Sequence, residues 1–100
     1  ARGRLEEAKP LYSRALAGRE KALGADHPDT LASVSNLAVF LDEGEGDPAA
    51  AEPLYRRAYE GRTATLGPDH PATRDSRNNL ALFLREQGRA QEAQELLGRP

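Results

Sequence analysis

The sequence predicts an all-α fold, and three observations lead to this prediction. Ala and Leu account for 17 and 14 of the 100 residues, whereas Val occurs twice and Ile is absent. Helices favour Ala and Leu because these side chains lose little rotamer freedom there, whereas strands favour β-branched residues. The chain also repeats itself, since 19 of 33 positions are identical when residues 11–43 are aligned with residues 54–86. We therefore expect an array of similar helical units.

Two short motifs mark the repeat. Leu-Gly-x-Asp-His-Pro occurs at 23–28 and again at 66–71, at an offset of 43 residues. Asn-Leu-Ala occurs at 36–38 and again at 79–81. After Leu41 the first copy contains one extra residue, so the offset falls to 42 beyond that point. The natural period is therefore 42 residues.

Each unit is predicted to contain two helices, which we name type A and type B. Type A helices are predicted at 28–43 and 71–87. In the first of them, apolar residues recur at i, i+3, i+4 and i+7 along one face, counted from Val34. Pro28 and Pro71 suit the first turn of a helix, where a missing backbone N–H costs nothing.

Type B helices are predicted at 4–23, 48–66 and 90–98. Asp47 and Pro48 start the second of these as N-cap and first helical residue. Gly24 and Gly67 are placed to end helices. Gly18 and Gly61 recur inside type B helices, which suggests close packing of the backbone at both places, with a small cavity as the alternative.

The units divide the chain into three parts of one array, 1–100. Residues 1–27 form helix B of a partial repeat, 28–70 a full repeat, and 71–100 a second repeat with a shortened helix B. Solenoid ends normally carry polar caps, because each repeat contacts only its neighbours. These ends lack such caps, so we expect a fragment of a longer solenoid or one that covers its ends by self-association.

The composition argues against several functional classes. The net charge of −2 argues against binding to nucleic acid through phosphate contacts. No apolar run approaches the ~20 residues that a membrane helix needs. The absence of Cys excludes a thiolate zinc site, and no phosphate-binding loop or catalytic motif occurs. We therefore expect no enzyme activity, no cofactor, no metal and a cytoplasmic location.

At this point the repeated residues resemble the tetratricopeptide repeat. The first copy that carries the resemblance consists of Asn36-Leu37-Ala38, Leu41, Gly46, Ala51, Tyr55 and Ala58, with partial copies at Gly88 and Ala93 and at Gly3, Ala8, Tyr12 and Ala15. The 42-residue period and the two motifs are similar to the kinesin-light-chain-like subclass. Similar arrays occur in bacterial multidomain regulators, and the Arg-rich, Lys-poor composition fits a bacterial source.

The resemblance implies a right-handed superhelical array of antiparallel helical hairpins. Its type A helices would line a concave groove that binds a peptide or protein segment. The residues that would face this groove are Asn36, Asn79, Val39, Leu82, Ser35, Asn78, Glu43 and Glu86. An Asn carboxamide can donate to and accept from a peptide backbone at once, although each Asn could instead bond to a neighbouring A helix.

Other residues have two interpretations. The histidines His27 and His70 could titrate or bind metal, but capping of the A helices is the favoured interpretation. The recurring arginines could form a basic ridge, but a solvated face is the favoured interpretation; they are Arg14, Arg19, Arg57 and Arg62, with Arg56 beside them. Tyr12, Tyr55, Phe40 and Phe83 are expected in the core rather than in a binding cage. Arg77 stands where the first copy has the core residue Val34.

Two functions remain open at this stage. The chain binds a partner segment in the groove of its A helices, or it is a structural segment that packs against another domain or against copies of itself. Binding of RNA by helical repeats is a distant third, because the acidic balance opposes it.

Overall fold

The computed structural model describes the backbone of residues 2–98 and the side chains of residues 7–98. It contains five α-helices, which are α1 (Arg2–Leu23), α2 (Pro28–Val39), α3 (Pro48–Leu66), α4 (Pro71–Glu86) and α5 (Ala90–Leu97). A π-helical turn at Phe40–Gly44 continues α2. The described residues contain no strand, so the expected all-α fold is confirmed.

The helices form a single row. Each helix packs mainly against its neighbours in the sequence, so that α2 and α3 form one hairpin and α4 and α5 form the next. The row measures about 40 × 33 × 17 Å. This arrangement is that of an α-solenoid, in which the type A helices are α2 and α4 and the type B helices are α1, α3 and α5.

Side chains cap three of the helices where the sequence predicts their starts. The Nδ1 atoms of His27 and His70 accept hydrogen bonds from the backbone N–H groups of Asp29 and Ala72, at 3.1 and 3.0 Å. In each cap the Nδ1 atom of the imidazole is the acceptor. The expectation of capping is confirmed for both histidines. Asp47 caps α3 in the same way, through Oδ1 and a backbone N–H at 3.2 Å.

The end of α2 differs from the prediction of one continuous α-helix over 28–43. The backbone N–H of Glu45 donates to the carbonyl of Phe40, five residues earlier, at 3.0 Å. The carbonyl of Leu41 then accepts a hydrogen bond from the backbone N–H of Asp47, six residues later, at 2.8 Å. At the matching place after α4, the carbonyl of Leu84 accepts from the backbone N–H of Arg89, which is only five residues later. The extra residue of the first copy is therefore absorbed as a π-helical turn, which keeps the following helix in register.

The core follows one face of each type A helix. Its buried members include Val34, Leu37, Ala38 and Leu41 from α2 with its π-helical turn, Leu80, Ala81 and Leu84 from α4, Ala51, Tyr55 and Ala58 from α3, and Ala93 and Leu96 from α5. Two threonines in equivalent positions, Thr30 and Thr73, are also fully buried. Their hydroxyl groups have no hydrogen-bond partner among the described residues.

The two recurring glycines of the B helices have different surroundings. A Cβ atom on Gly61 would lie 2.9 and 3.0 Å from the two Cδ atoms of Leu31, so the expected close packing is confirmed there. A Cβ atom on Gly18 would meet nothing within 4 Å among the described residues, so the same expectation is wrong for α1. The reason is that Leu31 belongs to the A helix paired with α3, and the described residues place no A helix against the corresponding face of α1.

The face of α4 that corresponds to Leu31 and Val34 carries two arginines. Arg74 is exposed and lies 3.9 Å from the carboxylate of Asp69, and Arg77 is half-buried. The Nε atom of Arg77 is buried without a partner among the described residues. This half of α4 extends beyond the short α5, so it lacks the apolar cover that α3 gives to α2.

Candidate functional site

Repeated aromatic pairs fix the A helices against the preceding B helices. The rings of Tyr12 and Phe40 have centroids 5.0 Å apart, and those of Tyr55 and Phe83 lie 5.1 Å apart. Both pairs are tilted, which suits the charge distribution of aromatic rings. The expected core position is confirmed for Tyr55 and Phe83, and Phe40 packs against the core while partly buried. The same expectation is wrong for Tyr12, which is 37% exposed because no further helix among the described residues covers that face of α1.

Repeated arginine contacts hold the same helices at their other ends. Arg19 Nη1 donates to Ser33 Oγ at 2.8 Å, and Arg62 Nη1 donates to Ser76 Oγ at 2.7 Å. Each Nη1 also donates to a backbone carbonyl in the first turn of the adjoining A helix, that of Asp29 or of the matching Ala72. The interpretation of the arginines as a solvated face is therefore wrong at Arg62, which is half-buried, whereas Arg19 links helices while its side chain stays exposed.

Two further arginines form ion pairs, and one does not among the described residues. Arg57 lies 2.8 Å from the carboxylate of Glu20 and links α3 to α1. Arg56 lies 2.9 Å from Glu52, one helical turn earlier. Arg14 is exposed, as expected of a solvated face. Arg19, Arg57 and Arg62 thus link helices, whereas the exposed Arg14 and the pair of Arg56 with Glu52 within α3 fit the solvated interpretation.

A depression between the π-helical turn and α4 contains most of the predicted groove residues. Its lining includes Val39, Glu43, Asn79, Leu82 and Glu86, together with Asp42, Tyr55 and Phe83. The side chain of Leu82 is 56% exposed, which is unusual for a large apolar residue in this chain. The remaining predicted residues lie elsewhere. The depression therefore offers apolar, amide and carboxylate groups on one surface.

Three carboxylates determine the electrostatics of this depression. Tyr55 Oη donates to Asp42 Oδ2 at 3.2 Å. Burial of the phenol, together with the negative charges of Asp42, Glu43 and Glu86, raises the pKa of Tyr55 well above its usual value. No basic side chain lines the depression. The phenol therefore remains protonated and serves as a donor to Asp42.

The other predicted groove residues divide between a second depression and the open surface. Asn36 lines a depression between α1 and α2 together with Tyr12, Ala15, Arg19 and Ser33. Ser35 is half-buried and Asn78 is exposed, and neither lines either depression. The two asparagines thus occupy equivalent places on successive A helices, but the structure does not bring them into one depression.

Asp42 lines the depression although it is not among the groove residues predicted from the sequence. Asp42 lies in the π-helical turn, where its carboxylate both lines the depression and accepts the bond from Tyr55. The matching residue of the second copy, Arg85, is exposed and does not line it. The available signal was the extra residue that follows Leu41, because an insertion within a helix changes which side chains share a face.

An apolar face of α1 is also open. Ala8, Leu11, Tyr12 and Ala15 line a shallow depression on this face. Leu11 is 60% and Tyr12 is 37% exposed, whereas Tyr55, the copy of Tyr12, is only 6% exposed. The copies of these residues in α3 are packed in the core, so the same apolar pattern that is internal in one unit lies on the surface in the other.

Two searches of the described residues were negative. No group of three or more His, Asp or Glu side chains there is arranged to hold a metal ion. None of the helices there combines the length and the apolar character needed to cross a membrane.

Fold and surface together define a class of protein. The chain is an α-solenoid of helical hairpins, and repeats of this kind generally mediate contacts between proteins. Comparison with family models identifies the family, because the tetratricopeptide repeat matches residues 1–60 and again residues 32–99. The chain belongs to the tetratricopeptide repeat family, whose members are typically non-enzymatic scaffolds. A search of curated proteins found no match.

Proposed function

We propose that this chain is a protein-interaction module that binds an extended segment of a partner protein along its A helices. The observation that carries this proposal is the depression between the π-helical turn and α4. Five of the eight residues that the sequence assigns to the groove line it, and Leu82 lies there with more than half of its side chain exposed. The apolar side chain of Leu82 can pack against a side chain of the partner, while the carboxamide of Asn79 can form hydrogen bonds with the partner's backbone.

The wider assignment is part of the same proposal. The repeats belong to the kinesin-light-chain-like subclass, in a cytoplasmic bacterial multidomain protein of which this chain is a fragment. The 42-residue period and the motif Leu-Gly-x-Asp-His-Pro support the subclass, and the Arg-rich composition supports the source. Residues 1–27, 28–70 and 71–100 are the three units, with the A helix starting each of the last two.

The test uses a library of random 12-residue peptides displayed on phage. The wild-type chain is compared with an Asn79→Ala/Leu82→Ala variant, since both side chains are exposed and line the depression. We expect the wild type to enrich a peptide motif and the double variant to lose that enrichment. Helicity by circular dichroism must match between the two, so that loss of binding is not loss of fold.

Asn36→Ala supplies a matched control. Asn36 occupies the equivalent place on the preceding A helix but lines a different depression. We expect Asn36→Ala to retain most of the binding to the selected peptides. No enrichment by the wild type, or enrichment that survives in the double variant, would show that the depression is not the binding site.

The open face of α1 favours a second candidate function, in which the array packs against another domain or a second copy. Leu11 and Tyr12 expose apolar surface whose copies in α3 are packed in the core. Light scattering over a concentration series tests self-association. We expect a wild-type chain that associates to become monomeric in Leu11→Ser, whereas a chain that stays monomeric at every concentration contradicts the self-association version.

A further inference from the structure

The chemistry of the partner can be inferred from the lining of the depression, and this inference rests on the proposed function. The depression has two kinds of surface side by side. Val39 and Leu82 provide apolar side chains, and Asp42, Glu43 and Glu86 provide carboxylates. A partner segment must cover the apolar side chains and provide hydrogen-bond donors or positive charge to the carboxylates.

The carboxylates are not neutralised within the described part of the chain. None of the three forms an ion pair with the side chains of residues 7–98. Asp42 accepts one hydrogen bond from Tyr55, and a carboxylate has about four acceptor sites. Burying such groups against a neutral or acidic partner would be unfavourable, because their lost hydration would not be replaced.

The π-helical turn explains why two consecutive acidic residues face the same depression. A π-helical turn has more residues per turn than an α-helix, so successive side chains are separated by a smaller rotation. Asp42 and Glu43 both belong to this turn and both line the depression. In α4, which is regular, Glu86 lines the depression and the adjacent Arg85 does not.

The three carboxylates lie beside apolar side chains in the lining of the depression. This combination suits a long cationic side chain, since an ammonium has three donors and a guanidinium has five in a fork. The apolar stem of either side chain could lie along Val39 or Leu82.

We propose that the depression binds a basic segment of a partner protein, in which a Lys or Arg side chain contacts the carboxylates and a neighbouring apolar side chain packs on Leu82. The carboxylates select for positive charge, and the apolar surface supplies contact area. An acidic segment is excluded by repulsion from the same three groups.

The test uses the peptides selected from the phage library described above. We compare the wild type with Asp42→Asn/Glu43→Gln/Glu86→Gln, in which every side chain keeps its size and the new carboxamide at position 42 keeps an acceptor for the phenol. The control triple is Glu7→Gln/Glu60→Gln/Glu95→Gln, which removes three exposed charges elsewhere and gives the same net charge. Affinity is measured by fluorescence anisotropy with labelled synthetic copies of the selected peptides.

We expect the selected peptides to be enriched in Lys and Arg next to an apolar residue. Their affinity should fall roughly tenfold or more in the groove triple, which is the size expected for a lost charged hydrogen bond, and should change little in the control triple. Raising the salt concentration should weaken wild-type binding, because exposed charges are screened.

Other outcomes overturn the inference in distinguishable ways. If the peptides lack basic residues, or bind the groove triple as well as the wild type, while Asn79→Ala/Leu82→Ala still abolishes binding, the basic partner is wrong and the groove function stands. If the wild type selects no peptide, both proposals fail. Equal losses in the two triples would show a dependence on net charge alone, which also contradicts a specific basic subsite.

Discussion

The same substitution, Gly to Ala, is expected to have different effects on stability at the two recurring glycines of the B helices, Gly18 and Gly61. Replacing a helical Gly by Ala favours the folded state by about 1 kcal/mol, because Ala loses less backbone freedom on folding. At Gly18 no atom of the described residues lies within 4 Å of the new Cβ atom, so this gain should appear in full. We expect Gly18→Ala to stabilise the chain by about 1 kcal/mol.

At Gly61 the same gain is opposed by overpacking. The new Cβ atom would lie 2.9 and 3.0 Å from both Cδ atoms of Leu31, a side chain that is fully buried. Leu31 cannot move outward into solvent, so it must adopt a strained rotamer or displace α2, at a cost of about 1–3 kcal/mol. The net effect of Gly61→Ala should therefore range from no change to a destabilisation of about 2 kcal/mol, whereas Gly18→Ala should stabilise the chain.

Urea denaturation followed by circular dichroism measures both free energies of unfolding. A third variant, Gly61→Ala/Leu31→Val, shortens the side chain at position 31 by one carbon, so that both Cδ atoms that make the contact are absent. If the clash is real, the double variant should be more stable than the sum of the two single changes predicts. Equal stabilisation by Ala at Gly18 and Gly61 would refute the reasoning, because it would mean that Leu31 does not constrain position 61.

Three further predictions follow from single side chains. Arg62→Met should lower the free energy of unfolding by about 1.5–3 kcal/mol, because it removes a charged donor from a buried serine and a carbonyl, whereas Arg14→Met should change it little; urea denaturation of the two variants measures the difference. Thr73→Val should leave the stability unchanged or raise it by about 1 kcal/mol in a thermal melt, because the buried hydroxyl has no hydrogen-bond partner among the described residues. A loss of stability above about 2 kcal/mol, the size of a charged hydrogen bond, would contradict this and show that the hydroxyl is hydrogen-bonded. The hydrogen bond from Arg89 lowers the pKa of Glu52, so this pair should stabilise the fold at pH values above the ordinary carboxyl pKa. That contribution should disappear as the pH falls through the lowered pKa of Glu52. When the free energy of unfolding is measured against pH, the wild type should therefore lose more stability in acid than Arg89→Gln does.

The sequence was sufficient to predict the helices because local signals coincide there. Type A helices begin at His-Pro, with the histidine as cap, and the Asp-Pro start of α3 is equally local. The predicted bounds differ from the observed ones by no more than two residues, apart from the π-helical turn. That turn escaped prediction because the hydrophobic spacing through Leu41 is compatible with a regular helix, and only the comparison of the two copies reveals the additional residue.

The site was less predictable because it depends on how successive helices are offset. Val39, Glu43 and Leu82 could be assigned to one face of each A helix, but the offset between α2 and α4 decides which of them meet. Asn36 and Asn79 therefore share a pattern without sharing a depression. The arginine cross-links depend on the same offset, although one signal was present: in both copies an arginine is followed by a serine 14 residues later.

The differences between the two copies indicate which residues would determine partner selectivity under the proposed function. The aromatic pairs, the arginine cross-links and the histidine caps recur in both, so they hold the array together whatever it binds. The copies differ at the end of the A helix, where the first has a π-helical turn with Asp42 and the second has a regular helix with Arg85. π-helical turns often occur at functional sites, and Asp42 in this turn differs in charge from its counterpart Arg85. Under the proposed function, the recurring framework holds the surface in place, and the residues that do not recur give that surface its selectivity for a basic partner.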